Sequence, residues 1–160
     1  MERSGFEELT CRHYNEVARV AFLLTGDRQE ALDVAQETFA RAYERWGSVS
    51  TMDNQVGWLI RVATNLSLSH RRRIRRTVRQ FPTPRAVDDS PSDPSLGRAL
   101  SELTPAQRAA LVLRFYLDLS IAETAEVLGN RPGTIRALTA QGTARLRSRL
   151  GDAWLEVRDE

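Results

Sequence analysis

Between Ala31 and Trp46 the apolar side chains keep a helical beat. Ala31, Val34, Ala35, Thr38, Phe39, Ala42, Tyr43 and Trp46 stand at i, i+3, i+4, i+7, i+8, i+11, i+12 and i+15. A strand would need alternation of period two, so this spacing predicts a helix with one buried face. The opposite face carries Asp33, Gln36, Glu37, Arg41 and Glu44. The flanking segments read alike. Phe6, Leu9, Val17, Val20, Ala21 and Leu24 fit one helix, broken at residues 25–27. After a loop over 47–54, a third helix starts near Gln55, buries Val56, Leu59, Ile60, Ala63 and Leu66, and emerges as a basic run over 71–76. The predicted fold class is all-α.

Residues 81–95 interrupt this pattern with Pro82, Pro84, Pro91 and Pro94 among Asp88, Asp89, Ser90, Ser92 and Asp93. Such a stretch has little to bury and cannot offset the entropy of ordering itself. It reads as a flexible acidic linker over 81–96 between two small helical domains, 1–80 and 97–152. In the second, Thr104, Pro105 and Gln107 form a capping box with Pro at the first helical position, opening a helix to about Tyr116. Ser120 and Glu123 suggest a second capping box. Gly129 stands where a left-handed residue should end that short helix, and Pro132 can start the next, through Ile135, Leu138, Leu146 and Leu150. No repeat period links these segments.

The net charge of +2 conceals segregation. Residues 1–60 are net −4, 61–85 net +8 with no acid, 86–102 net −3 and 103–160 net +1. A block that basic beside acidic neighbours suggests a local polyanion site. All 23 cations are Arg; GC-rich codon usage explains this as readily as the fit of Arg forks to phosphate and guanine. The lone Cys11 cannot form an internal disulfide and fits a reducing compartment. No run of 18 apolar residues exists and the N-terminus has no apolar core of a signal peptide, so a cytoplasmic protein outside any membrane is expected. His13 and His70 are far apart, and Cys11-Arg12-His13 lacks further ligands, so no metal, cofactor or catalytic chemistry is expected.

A capped helix over 120–128, a tight turn over 129–131 and a helix from Pro132 match the helix-turn-helix plan, whose second helix enters the major groove. Gly133, Thr134, Arg136, Ala137, Ala140 and Gln141 are the groove-facing candidates; Arg136 and Gln141 can read base edges. An ordinary three-helix bundle with solvated polar positions is the alternative. Arg114, one helix earlier, suits either a phosphate or water. The run Arg71, Arg72, Arg73, Arg75, Arg76 with Arg79 can track a phosphate backbone, or simply complement a helix C-terminus. Trp58 and Asn65 precede it on the same helix; an exposed Trp can stack a base and an Asn bond its edge, although Trp in a small helical domain is usually core.

These strings resemble the extracytoplasmic-function (ECF, group 4) sigma factors of bacterial RNA polymerase, specifically the small SigE-like actinobacterial members. Residues 21–27 (AFLLTGD), 33–39 (DVAQETF) and 41–46 (RAYERW) look like region 2.1–2.2, and 58–65 (WLIRVATN) running into the arginines like regions 2.3–2.4. Residues 103–108 (LTPAQR), 113–120 (LRFYLDLS), 125–129 (AEVLG) and 132–136 (PGTIR) look like region 4. The resemblance implies that Asp33, Gln36 and Glu37 bind the clamp helices of the polymerase β′ subunit. It gives −10 contacts to Trp58, Arg61, Asn65, Arg71 and Arg72, with Asn65 and the preceding loop capturing an unstacked base. It gives −35 contacts to Arg114, Thr134, Arg136, Ala137, Ala140 and Gln141, and the β flap as a second polymerase contact. Relatives are often held inactive by an anti-sigma factor; nothing in this sequence identifies one. The chain departs from the family at Ser69, where many relatives have Asp, and at Ala137, Leu138 and Gln141, where Ser, Arg and Arg are usual. Fewer polar −35 contacts follow. The expected function is promoter-directed initiation with core polymerase; an autonomous helix-turn-helix regulator is the alternative.

Overall fold

The computed structural model describes residues 2–78 and 94–151. The linker reading over 81–93, Arg79, and residues 152–160 lie outside the described residues, as do the side chains of Arg71 and Arg72. Every regular element described is helical, as the periodicity predicts: α1 (Glu2–Thr25), α2 (Arg28–Glu44), α3 (Trp46–Val49), α4 (Gln55–Val78), α5 (Pro94–Ser101), α6 (Pro105–Leu111), a π-helical turn (Val112–Tyr116), α7 (Ile121–Leu128) and α8 (Pro132–Leu150). The helices fall into two compact units, Met1–Gln80 and Phe81–Glu160.

In the first unit α1, α2 and α4 pack on one another around Val17, Val20, Ala21, Ala35, Leu59 and Ala63. Gly26, at φ +72, turns the chain out of α1, and Asp27 caps α2 by accepting the Glu30 N–H at 3.0 Å. Two buried hydroxyls return their protons to their own helices, Thr38 Oγ1 donating to Val34 O at 2.7 Å and Ser67 Oγ to Ala63 O at 2.8 Å, while the buried Thr64 Oγ1 has no hydrogen-bond partner.

Two expectations here need correction. The apolar beat continues through Tyr43 and Trp46, but α2 ends at Glu44 and Tyr43 is 61% exposed. Near that end Phe6 meets both aromatics, its ring 5.2 Å from Tyr43 and 5.6 Å from Trp46, edge-on in each case. The period outruns the cover available. The segment read as a loop from Gly47 instead begins with the short helix α3. Helix α4 does start at Gln55 as expected, burying Leu59, Ile60 and Ala63, while Val56 and Leu66 are half-buried.

In the second unit helix begins at Pro94, two residues ahead of the Leu96 start read from the sequence. Proline at a helix start loses nothing, because its missing N–H would have had no intrahelical partner. The Thr104 capping box forms in both directions. At Ser120 the hydroxyl accepts the Glu123 N–H at 3.0 Å, and Gly129, at φ +67, closes α7 with the Asn130 N–H on Ala125 O at 3.0 Å. The helix from Thr104 does reach Tyr116, but its last turn loosens to π geometry, with Leu117 N–H on Val112 O at 3.2 Å. Asp118, at φ 53, then turns the chain toward α7.

Helices α6 and α8 pack tightly at Gly142, where a Cβ would lie 2.9 Å from Leu111 Cδ1 and 3.1 Å from its Cγ. Gly142→Val is therefore expected to destabilise this unit by about 1–3 kcal/mol through overpacking. Urea unfolding followed by far-ultraviolet circular dichroism checks it; an unchanged midpoint would mean that the two helices do not pack at this point.

Candidate functional site

The capped start of α2 sets its register, which turns Ala31, Val34, Ala35 and Thr38 inward and leaves Asp33, Gln36 and Glu37 exposed. Asp33 Oδ1 accepts from Gln29 Nε2 at 3.2 Å, and Glu37 Oε1 from Arg41 Nε at 2.9 Å. Both bonds lie along one exposed helix face, so they hold the carboxylates in place without removing them from water and contribute little stability.

Helix α4 carries a second polar stripe. Arg61 and Asn65 are exposed, Ser69 is exposed one turn on, and Trp58 is half-buried at the head of the same stripe. Positions 58, 61, 65 and 69 share one face by helical period. The loop ahead of α4 is held at two points. Gln55 Nε2 donates to Val49 O at 3.2 Å and to Ser50 O at 3.3 Å, and Asn54 Oδ1 accepts the Gly57 N–H at 2.8 Å. A Cβ at Gly57 would lie 2.4 Å from Asn54 Nδ2, so the bare glycine is what admits this cap.

The packing of α2 on α4 brings the two stripes together. Asp33, Glu37 and Arg41 from α2 and Asn65, Leu66 and Ser69 from α4 line one open groove. Periodicity could assign each residue to its own helix face; only the helix–helix contact makes them neighbours. Leu66 joins the site this way without any motif to mark it, and Arg41, legible only as a polar-face residue of α2, joins it too.

In the second unit the structure separates the candidates. Thr134, Arg136, Ala137, Ala140 and Gln141 are all exposed on α8, while Ile135, Gly142 and Leu146 anchor its other face. Gly133 and Thr134, after Pro132 at the first position, supply the leading backbone N–H groups of a helix start, a natural anion seat. Leu138 is half-buried, so it packs where a polar residue would have reached out. Arg114 lies on the π-helical turn ahead of α7. It is half-buried, its Nη1 donates to Leu119 O, and its Nε is buried without a partner. Part of its guanidinium therefore braces the turn between the π-helical segment and α7. Among the described residues no cluster of three or more His, Cys, Asp or Glu could hold a metal, and no helix is long and apolar enough to cross a membrane.

Comparison with known proteins matches residues 9–77 to sigma-70 region 2 and residues 94–146 to sigma-70 region 4. The chain is 34% identical over 159 residues to the ECF RNA polymerase sigma factor SigE of Mycolicibacterium smegmatis, covering 91% of this chain and 62% of that protein. It is 31% identical over 164 residues to the ECF sigma factor BldN of Streptomyces coelicolor, again covering 62% of the relative. The chain thus spans about three fifths of those two proteins. It covers 90% of the RNA polymerase sigma-E factor of Streptomyces coelicolor, at 31% identity. Among solved structures, the sigma factor RpoE of Bartonella quintana, in complex with the anti-sigma factor NepR, matches with a TM-score of 0.78 at 22% identity, covering 92% of this chain and 97% of that one. At that identity the likeness speaks to the fold.

Proposed function

This chain belongs to the ECF sigma factors, and from that membership we propose that it binds core RNA polymerase and directs it to particular promoters. Unit 1 is the polymerase-binding and −10-reading half, through Asp33, Gln36 and Glu37 on α2 and Trp58, Arg61, Asn65, Arg71 and Arg72 on α4. Unit 2 is the −35-reading half, through Thr134, Arg136, Ala137, Ala140 and Gln141, with the polymerase β flap as its second contact. Arg114 supports that surface by bracing it and offers its remaining donors to a phosphate. The residues between α4 and α5 serve as a linker. The protein performs no catalysis of its own and acts in the cytoplasm. An anti-sigma factor, of the kind bound to the Bartonella relative, is a further partner of the same class of surface.

The observation that carries this reading is the shared groove of unit 1. A regulator that binds duplex DNA alone needs its helix-turn-helix and nothing more. An initiation factor needs a polymerase contact beside a base-capturing surface, and here exposed acidic residues of α2 line one groove with Asn65 and Ser69 of α4. The firmly held loop before α4 suits base capture, since flipping is costly and favours a preformed pocket.

Run-off transcription with core polymerase on a randomised promoter library is the test. The expected result is initiation from a minority of templates sharing −35 and −10 elements, with weak duplex binding by the chain alone. Folded protein that initiates nowhere, or that binds one duplex tightly without polymerase, would favour the regulator instead.

A further inference from the structure

A buried glutamine ties the start of α6 to the exposed face of α8. Gln107 is 6% exposed, and both ends of its amide are in use. Its Oε1 accepts the Thr104 backbone N–H at 3.2 Å, and its Nε2 donates to Gln141 Oε1 at 3.3 Å. The first bond determines the second. A backbone N–H can only donate, so the amide atom it meets must be the oxygen, and the other end of Gln107 must be the NH2 group. An NH2 group can only donate, so Gln141 must turn its oxygen toward Gln107. The polar atom Gln141 keeps for a partner outside the domain is then its nitrogen.

We infer that Gln107 is a positioning residue that sets which end of the Gln141 amide faces DNA, so that the base pair read by Gln141 is selected for acceptor edges. This rests on α8 being the major-groove helix, as proposed above. A free glutamine reads adenine by donating to N7 while accepting from N6. With its oxygen held inward, Gln141 matches guanine best, whose O6 and N7 are adjacent acceptors, and next the O4 of thymine. Adenine keeps a single acceptor, N7, beside an amino group that opposes the outward NH2, and cytosine offers only a donor.

The test separates this reorientation from a merely structural role, because it reads base preference instead of stability. Full-length chain and core polymerase initiate on a library randomised through the −35 element, and the transcribed templates are sequenced. For the wild type we expect one position at which guanine is enriched over adenine by about fivefold, the size of one neutral hydrogen bond, and over cytosine by more, and at which Gln141→Ala flattens the preference. Gln107→Glu keeps an acceptor for the Thr104 N–H and places an acid in a first helical turn, so the cap survives. Its carboxylate can only accept, so Gln141 must turn its NH2 inward and its oxygen outward. The preference at that one position should then move to adenine or cytosine, with the others unchanged.

If thermal melting finds Gln107→Glu unfolded, Gln107→Met, which ties neither end, should simply admit adenine at that position. Three results overturn the inference while leaving the sigma reading intact: a wild-type preference for adenine or cytosine at the Gln141-sensitive position, no position that responds to Gln141→Ala, or a preference that ignores Gln107. Failure to initiate on every template counts against the sigma reading itself.

Discussion

Replacing both Asp33 and Glu37 by Arg is expected to weaken binding to core RNA polymerase by on the order of a hundredfold while leaving the fold intact. The two effects separate because the residues are exposed and their bonds are local. Asp33 meets Gln29 and Glu37 meets Arg41 along a single helix face. An exposed pair of that kind contributes roughly 0.2–1 kcal/mol, so the doubly reversed chain should melt within a few degrees of the parent. At an interface the same charges count for more, because like charges pressed together as water leaves cost several kcal/mol. A loss of about 2.7 kcal/mol is a hundredfold in affinity. Co-elution on gel filtration and a titration with labelled core polymerase measure the first effect, and thermal melting the second. Unchanged affinity in a normally melting protein removes α2 as the polymerase-binding face. Lost affinity accompanied by a collapsed melt assigns these residues to the fold instead.

Residues whose roles depend on local sequence were legible, and those whose roles depend on packing were not. The Thr104 box, the Gly129 stop and the Pro132 start each follow from backbone chemistry within four residues, and the structure carries all three. The exposed face of α2 follows from its period. Tyr43 and Trp46 continue the same period, yet Tyr43 is exposed, because burial needs a partner helix and near this end α1 offers them Phe6. The groove uniting Asp33 and Glu37 with Asn65 and Ser69 joins residues about thirty apart in the chain; no periodicity carries that. Arg114 reads from sequence as a phosphate contact or a solvated cation, and neither accounts for its bond to Leu119 O, which requires the π-helical turn and the left-handed Asp118 to bring that carbonyl into reach. Gln107 is half visible. Its capping role is written in the Thr-Pro-Ala-Gln string, while its hold on Gln141 spans 34 residues.

Ile135→Ala should unfold the DNA-reading unit preferentially, and its two neighbours show why position within one turn decides the outcome. Ile135 is 0% exposed and sits on the inner face of α8, between the exposed Thr134 and Arg136. Removing the buried carbons and leaving a cavity costs about 2–5 kcal/mol. A unit of this size holds on the order of 4–12 kcal/mol in all, at roughly 0.05–0.15 kcal/mol per residue, so the loss is a large share of what keeps α8 docked. The first unit packs its own core around Val17, Val20 and Leu59. Hydrogen exchange should therefore find protection reduced across α6, α7 and α8 and unchanged in α1, α2 and α4. Transcription should lose its dependence on the −35 sequence, while the first unit still holds core polymerase. Thr134→Ala and Arg136→Ala should do the converse, moving stability by under about 0.5 kcal/mol and changing promoter choice. If Arg136→Ala destabilises the unit as much as Ile135→Ala, or if Ile135→Ala leaves exchange and −35 dependence untouched, then the inner and outer faces of α8 have been assigned the wrong way round.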